Sequence, residues 1–317
     1  MKHALLMKSV AAACVACAFA AQAAPVSVPV GGTFTAVDPA GSGQRANVWL
    51  TGDSSNWTLS NDGWTESDDI AFLAGLVGAL NVSNVKVLGV GQSVPTEQRW
   101  TDPDFGDVYR TGVQVPSKVS SLSLDNVTGQ LLSVSHAGAV QLKGTRISGV
   151  LTGGTATISN LQFDMVNKAV VADLSGVKNA FGTSPSVTYN LPGTTLWTFA
   201  SVTGPRGVPV DALASGNPVE ALAAAGFDLI AGASFASTLT FSGLSITTQG
   251  FNFLMSSLGM LGVGTSALRA VDDYGSIQTR LVFSTAVPEP STYALLGAGL
   301  LSLCIAARRR QPSKEAA

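Results

Sequence analysis

Cysteine is nearly absent from this chain, and its placement is informative. Only three of 317 residues are cysteine, and all of them (Cys14, Cys17 and Cys304) sit in apolar runs near the two ends. From Pro25 to Val287 there is none. That excludes a disulfide-stapled scaffold, so the central segment must rely on a hydrophobic core. Histidine is as scarce, with His136 alone in the central segment. One histidine without cysteine is no ligand set for zinc. A Ser-His-Asp triad would have to use His136, which sits beside Gly138 and reads as a turn residue. Charge is sparse, at 12% of residues against about 25% in average soluble domains. The formal net charge of −2 excludes a broad basic surface for nucleic acid. An apolar fraction of 46% excludes a solvating, disordered chain. No P-loop or dinucleotide fingerprint occurs, since Gly89-Val90-Gly91 lacks the third glycine. The expectation is a protein that is not an enzyme and needs no cofactor.

The apolar character is concentrated at the ends. Lys2 and Lys8 precede an uncharged run from Ser9 to Ala20, and Ala21-Gln22-Ala23 follows. A basic start, an apolar stretch and small residues at −3 and −1 form a secretory signal, 1–23, cut after Ala23. The partners expected from it are the Sec machinery and signal peptidase. The run is too short to span about 30 Å of hydrocarbon. The second run, Ser291 to Ala307, carries no charge and is followed by Arg308, Arg309 and Arg310. It has the length of a minimal transmembrane helix, 291–307. The arginines stop transfer and stay cytoplasmic, as does the tail 311–317. In transit the bulk of the chain is periplasmic.

Just ahead of that run stands Val287-Pro288-Glu289-Pro290-Ser291. Each proline disfavours helix for the residue before it, which keeps this stretch extended and open to a processing enzyme. Pro-Glu-Pro, a small-residue apolar helix with Gly297 and Gly299, then an arginine cluster, over residues 287–310, resembles the PEP-CTERM sorting signal of Gram-negative bacteria. The resemblance is confined to the tail. It implies that the chain is a substrate of an exosortase, a membrane protease or transpeptidase with a cysteine nucleophile. It further implies cleavage near Pro-Glu-Pro, export to the cell surface or beyond, and a link to exopolysaccharide and biofilm.

The remaining segment, 24–286, is mostly strand-like. Polar and apolar residues alternate at Val26–Val28, Ala46–Thr51, Val85–Val90, Val119–Asp125, Thr155–Phe163, Ala169–Leu174, Thr195–Ala200, Ser237–Thr247 and Ser276–Ser284. Turn signals fall at Asp62-Gly63, Ala137-Gly138, Gly153-Gly154, Pro192-Gly193 and Gly204-Pro205. Serine and threonine number 61 against 38 charged residues, so hydroxyls make the solvent faces of the strands. Short helices are expected after Thr65-x-x-Asp68 over 70–80, after Asn217-Pro218 and over 252–261. The pattern predicts a mainly β, antiparallel, sandwich-like domain with a few inserted helices. A subdivision near 112–116 is as consistent as a single domain. Without its ends the chain is acidic: from Pro25 to Val287 twelve Lys and Arg face eighteen Asp and Glu, a net of −6.

Two acidic clusters invite a cation. Asp102, Asp104 and Asp107 surround Gly106, and Asn61–Asp69 is richer still. Hard oxygen donors on a turn suit weak Ca²⁺ binding, although neither cluster matches an EF-hand loop. Trp49, Trp57, Trp64 and Trp100 crowd the first half. Stacked on one face, they would contact carbohydrate. Two roles therefore stand: a structural or interaction protein of the surface or matrix, and a carbohydrate- or ligand-binding module on the same route.

Overall fold

The computed structural model describes residues 23–40, 43–60, 75–230 and 233–285. In chain order the elements are β1 (Pro25–Pro29), β2 (Thr33–Val37), β3 (Gln44–Ser60), α1 (Gly75–Val82), β4 (Val85–Val90), β5 (Thr96–Thr101), β6 (Val108–Asp125), β7 (Leu131–Ala137), β8 (Ala139–Gly144), β9 (Gly154–Asp164), β10 (Ala169–Lys178) and β11 (Val187–Thr203). Then come α2 (Val210–Leu213), α3 (Pro218–Ala224), β12 (Asp228–Ile230), β13 (Ser234–Ile246), α4 (Thr248–Leu258), α5 (Gly262–Arg269) and β14 (Ser276–Thr285). The mainly β, antiparallel class with few short helices is thus present. Each strand expected from alternation overlaps an observed strand.

A sandwich keeps two sheets apart. Here the ladders form one sheet of 14 strands. The pairings β3–β6–β7–β9–β10–β11–β13–β14–β3 close on themselves, which makes a barrel wall. Two long strands permit the closure. β6 pairs β3 over 112–117 and β7 over 118–124, while β9 pairs β8 over 154–159 and β7 over 162–164. Residues 112–116 lie inside β6. Beyond β7 the wall forks. β8 and β4 continue from β9, and β5 continues from β6. Among the described residues β4 pairs only β8 and β5 only β6.

Alternation fills the barrel. In β14, Ile277, Thr279, Leu281 and Phe283 are buried. Their cross-strand partners share that face, so Trp57 stands opposite Ile277 and Ser55 opposite Thr279. Further round come Val115, His136, Phe163 and Trp197, all buried. Trp57 packs on Trp197 with ring centroids 4.9 Å apart, and Phe163 on Phe241 at 4.4 Å. Bulges shift the phase. In β6 the buried set passes from Val113, Val115 and Val119 to Leu122 and Leu124, and the register with β7 slips between Val119 and Ser121.

Pro192-Gly193, expected as a turn, lies within β11. Gly193 has φ +59°, and its N–H donates to the Asp173 carboxylate at 2.8 Å. The other carboxylate oxygen accepts from Asn160 Nδ2 at 2.9 Å. Asn160 also has positive φ, +52°. Asp173 thus ties two irregular points of neighbouring strands. The helices are local stops. Thr247 Oγ1 caps α4 by accepting from Gly250 N. Asn217 precedes Pro218 at the start of α3 as expected, but its side chain bonds Glu220, not the backbone. The expected capping box at Thr65–Asp68 lies outside the described residues. No helix among the described residues is long and apolar enough to cross a membrane. The expected spanning segment, 291–307, lies outside them.

Candidate functional site

Two clefts adjoin the fork in the wall, and their linings differ in kind. The first, about 690 Å³, lies between the β4 edge and the β5–β6 hairpin. Lys86, Glu97, Arg99 and Arg110 bring charge to it. Glu97 accepts from Arg99 Nε at 3.1 Å and lies 3.2 Å from Arg110 Nε. That second contact is an ion pair without hydrogen-bond alignment at Nε. Arg110 Nη1 donates to the Val85 carbonyl at 3.0 Å, and Asn81 Nδ2 to the Arg110 carbonyl at 2.7 Å. Burial lowers the Arg110 pKa, Glu97 opposes that shift, and Arg99 adds to it. These groups mostly satisfy one another, and Arg110 supplies the β4 edge with a donor where no described strand does.

The second cleft, about 580 Å³, opens between the Val90–Ser93 turn, the β7–β8 turn and the middle of β6. Ser55, Ser117 and Lys118 line it. A cavity of about 20 Å³ continues inward, sharing Ser93, Ser117 and Gly138 with the cleft and bounded by Trp57, His136 and Leu161. Gly138, with φ +125°, makes the turn tight: a Cβ there would stand 2.8 Å from Ser93 Oγ.

His136 is at the bottom and is 3% exposed. Its Nε2 meets Thr279 Oγ1 at 3.2 Å, and Thr279 Oγ1 meets Ser55 Oγ at 3.0 Å. Phe163 packs edge-on against the ring at 5.0 Å. Burial pushes the His136 pKa down to about 3, so the ring is neutral at neutral pH. The Leu161 backbone favours the charged form slightly, yet Nδ1 makes no hydrogen bond of ordinary geometry. The expected turn histidine is thus a core histidine. Its neighbour Gly138 marks the turn correctly, but β7 aims residue 136 inward. Ser55, Ser117 and Thr279 carry no sequence signal that sets them apart from the other hydroxyls.

The other sequence-derived residues scatter. Asp102 Oδ1 accepts from the N–H groups of Asp104 at 2.8 Å and Phe105 at 3.1 Å. Tyr109 Oη donates to Asp107 at 3.5 Å. Among the described residues no group of three or more His, Cys, Asp or Glu could hold a metal ion. The structure therefore does not gather Asp102, Asp104 and Asp107 into a Ca²⁺ ligand set, because the leading carboxylate is turned onto its own loop. Trp57 is in the core, with Nε1 donating to the Tyr274 carbonyl at 3.0 Å. Trp49 is 42% exposed, and Trp100 stacks on Tyr109. The described tryptophans form no common face for a sugar, and Trp64 lies outside the described residues. So do Asn61–Asp69, Ala21, the motif Val287–Ser291 and Arg308–Arg310. Ala23 is exposed ahead of β1. Ala24 N donates to Asn126 Oδ1 at 2.8 Å, the first such bond to the barrel among the described residues.

No curated protein matches the chain. Among solved structures it is similar to the heme-binding protein HtaB from Corynebacterium glutamicum, at 10% identity, over 84% of this chain and 98% of that one. The TM-score is 0.32, too low to carry an argument about fold or ligand. Residues 286–310 match the family model of the PEP-CTERM protein-sorting motif, which implies an exosortase-type processing partner and export through the membrane to the cell surface.

Proposed function

We propose that the chain is an exported surface or extracellular-matrix protein. An exosortase cleaves it at Val287–Ser291, and its barrel serves as a structural or interaction module within exopolysaccharide. The sorting motif at 286–310 is the observation that carries this reading. Two features support it further. Cleavage after Ala23 leaves Ala24 as the first residue, and the first ladder begins at the next residue, Pro25. The hydroxyl-rich strand faces suit a hydrated polysaccharide matrix.

The test is replacement of Pro288-Glu289-Pro290 by alanines in the producing cell, with the protein's size and location followed by immunoblot of membrane, surface and medium fractions. The expected result is an unshortened protein held in the inner membrane. A variant shortened and exported like the wild type overturns the sorting reading. Pull-down with matrix polysaccharide tests the interaction role, which absence of saturable binding would remove.

A further inference from the structure

We propose that the cleft above His136 is a binding site for a small apolar alcohol or phenol. The apolar body sits in the outer cleft and the hydroxyl reaches the His136 ring. This site goes beyond the sorting reading and does not depend on it.

Three observations converge. The outer cleft exposes mostly apolar surface, from Val90, Pro116, Ala137 and Ala139, but Asn56, Gln92, Lys118 and Asn160 also line it. Apolar surface with polar groups set into it characterises small-molecule sites. The inner cavity of about 20 Å³ continues from it to His136, and about 10–15 Å³ suffices for one water-sized group. His136 itself is 3% exposed, and its Nδ1 makes no hydrogen bond of ordinary geometry, the Leu161 backbone facing the ring only weakly. An unsatisfied buried polar atom is costly, so a native fold keeps few of them without a role.

The chemistry of the ring narrows the ligand. It is neutral, so it offers nothing to balance a carboxylate or an ammonium drawn inside. It offers one hydrogen-bonding position at Nδ1, while Nε2 is engaged by Thr279. Whether Nδ1 donates or accepts depends on how the Thr279 and Ser55 hydroxyls are turned. A hydroxyl both donates and accepts, so it satisfies Nδ1 in either tautomer.

His136 is the single histidine after the signal segment, which makes it its own reporter. The exported protein, labelled with ¹⁵N-histidine, is titrated with phenol and in parallel with benzene, which lacks the hydroxyl. The expected result is a saturable shift of the Nδ1 resonance with phenol and none with benzene. Calorimetry on His136→Phe should show phenol affinity about tenfold weaker, the loss of one hydrogen bond. The proposal is overturned if phenol leaves the Nδ1 signal unmoved, or if benzene moves it equally. Unchanged phenol binding in a folded His136→Phe also overturns it. The ring signal is read on the unmodified protein, so the test stands even where the variant fails to fold.

Discussion

The two clefts at the fork of the barrel wall treat polar groups in opposite ways. In the first, between β4 and β5, Glu97, Arg99, Arg110 and Asn81 bond or pair with one another and with the β4 edge, and even Arg110 Nε, which has no aligned hydrogen bond, faces the Glu97 carboxylate. In the second, the buried Ser55 and Thr279 hydroxyls lead to the His136 ring, whose Nδ1 makes no hydrogen bond of ordinary geometry. The first is therefore part of the wall, and the second is open to a ligand. A free strand edge attracts stray pairing, and an edge occupied by a charged side chain resists it. No described strand fills the first cleft, and its charges seal the gap. The larger of the two clefts is thus the less suited to a ligand.

Removing Arg110 puts this contrast to its hardest trial. Its side chain is 12% exposed and that of Glu97 is 19% exposed. Arg110→Ala takes one of two ion-pair partners from Glu97, which Arg99 still holds, and the donor from the Val85 carbonyl, a loss of about 1–3 kcal/mol for this half-buried pair. Arg99, at 64% exposure, should cost less than about 1 kcal/mol when truncated. Urea unfolding of both variants decides. Equal costs would mean that the network is decoration and the first cleft is as open as the second.

Acid tests the second cleft. The His136 pKa is about 3 in the folded protein and about 6.5 unfolded. A base whose folded pKa is depressed favours the fold above the unfolded value, and that contribution is lost as pH falls toward the folded value. Between pH 6.5 and 5 the loss is about 2 kcal/mol. Unfolding midpoints over that window should fall in the wild type and stay flat in His136→Phe. Two carboxylates act lower. Asp125 is held down by the backbone N–H of Thr128, and Asp173 by Asn160 and the Gly193 N–H. Their contributions are present above the unfolded carboxylate value and lost below it, so a drop under about pH 4 should survive in His136→Phe.

Thr279→Val isolates the hydrogen bonds that link Ser55, Thr279 and His136. It keeps the volume and removes the hydroxyl that serves both His136 and Ser55, at a cost of about 1–2 kcal/mol. A double-mutant cycle with Ser55→Ala should show coupling, because both report one chain of hydrogen bonds. Strict additivity would mean that the two hydroxyls do not act together.

The same contrast marks the limit of what is legible in the sequence. Period-2 alternation locates nine of the fourteen strands among the described residues, because each buries one face whatever its partner, and it misses β2, β5, β7, β8 and β12. It does not distinguish a sandwich from a ring, which depends on β6 and β9 each serving two neighbours in turn. Pro192-Gly193 carries the chemistry of a turn. Its place inside β11 depends on Asp173, twenty residues earlier in the chain. His136 reads as a turn residue for the same reason: its inward place rests on Thr279, 143 residues away. The sorting tail is legible because its order of parts is local and needs no fold.

Least affected of all should be the acidic turn, whose leading carboxylate is satisfied locally, as Glu97 is in the first cleft. Asp102 Oδ1 accepts from two N–H groups of its own loop. The side-chain amide oxygen introduced by Asp102→Asn can do the same, so that variant should stay within about 0.5 kcal/mol of the wild type. Millimolar Ca²⁺ should leave the thermal midpoint of both where it was. A ligand set would behave differently: the ion would raise the wild-type midpoint by mass action, and replacing a charged ligand would abolish the rise. That pattern would show that the loop opens to the ion, and the turn would then join the second cleft as a place where this barrel waits for a ligand.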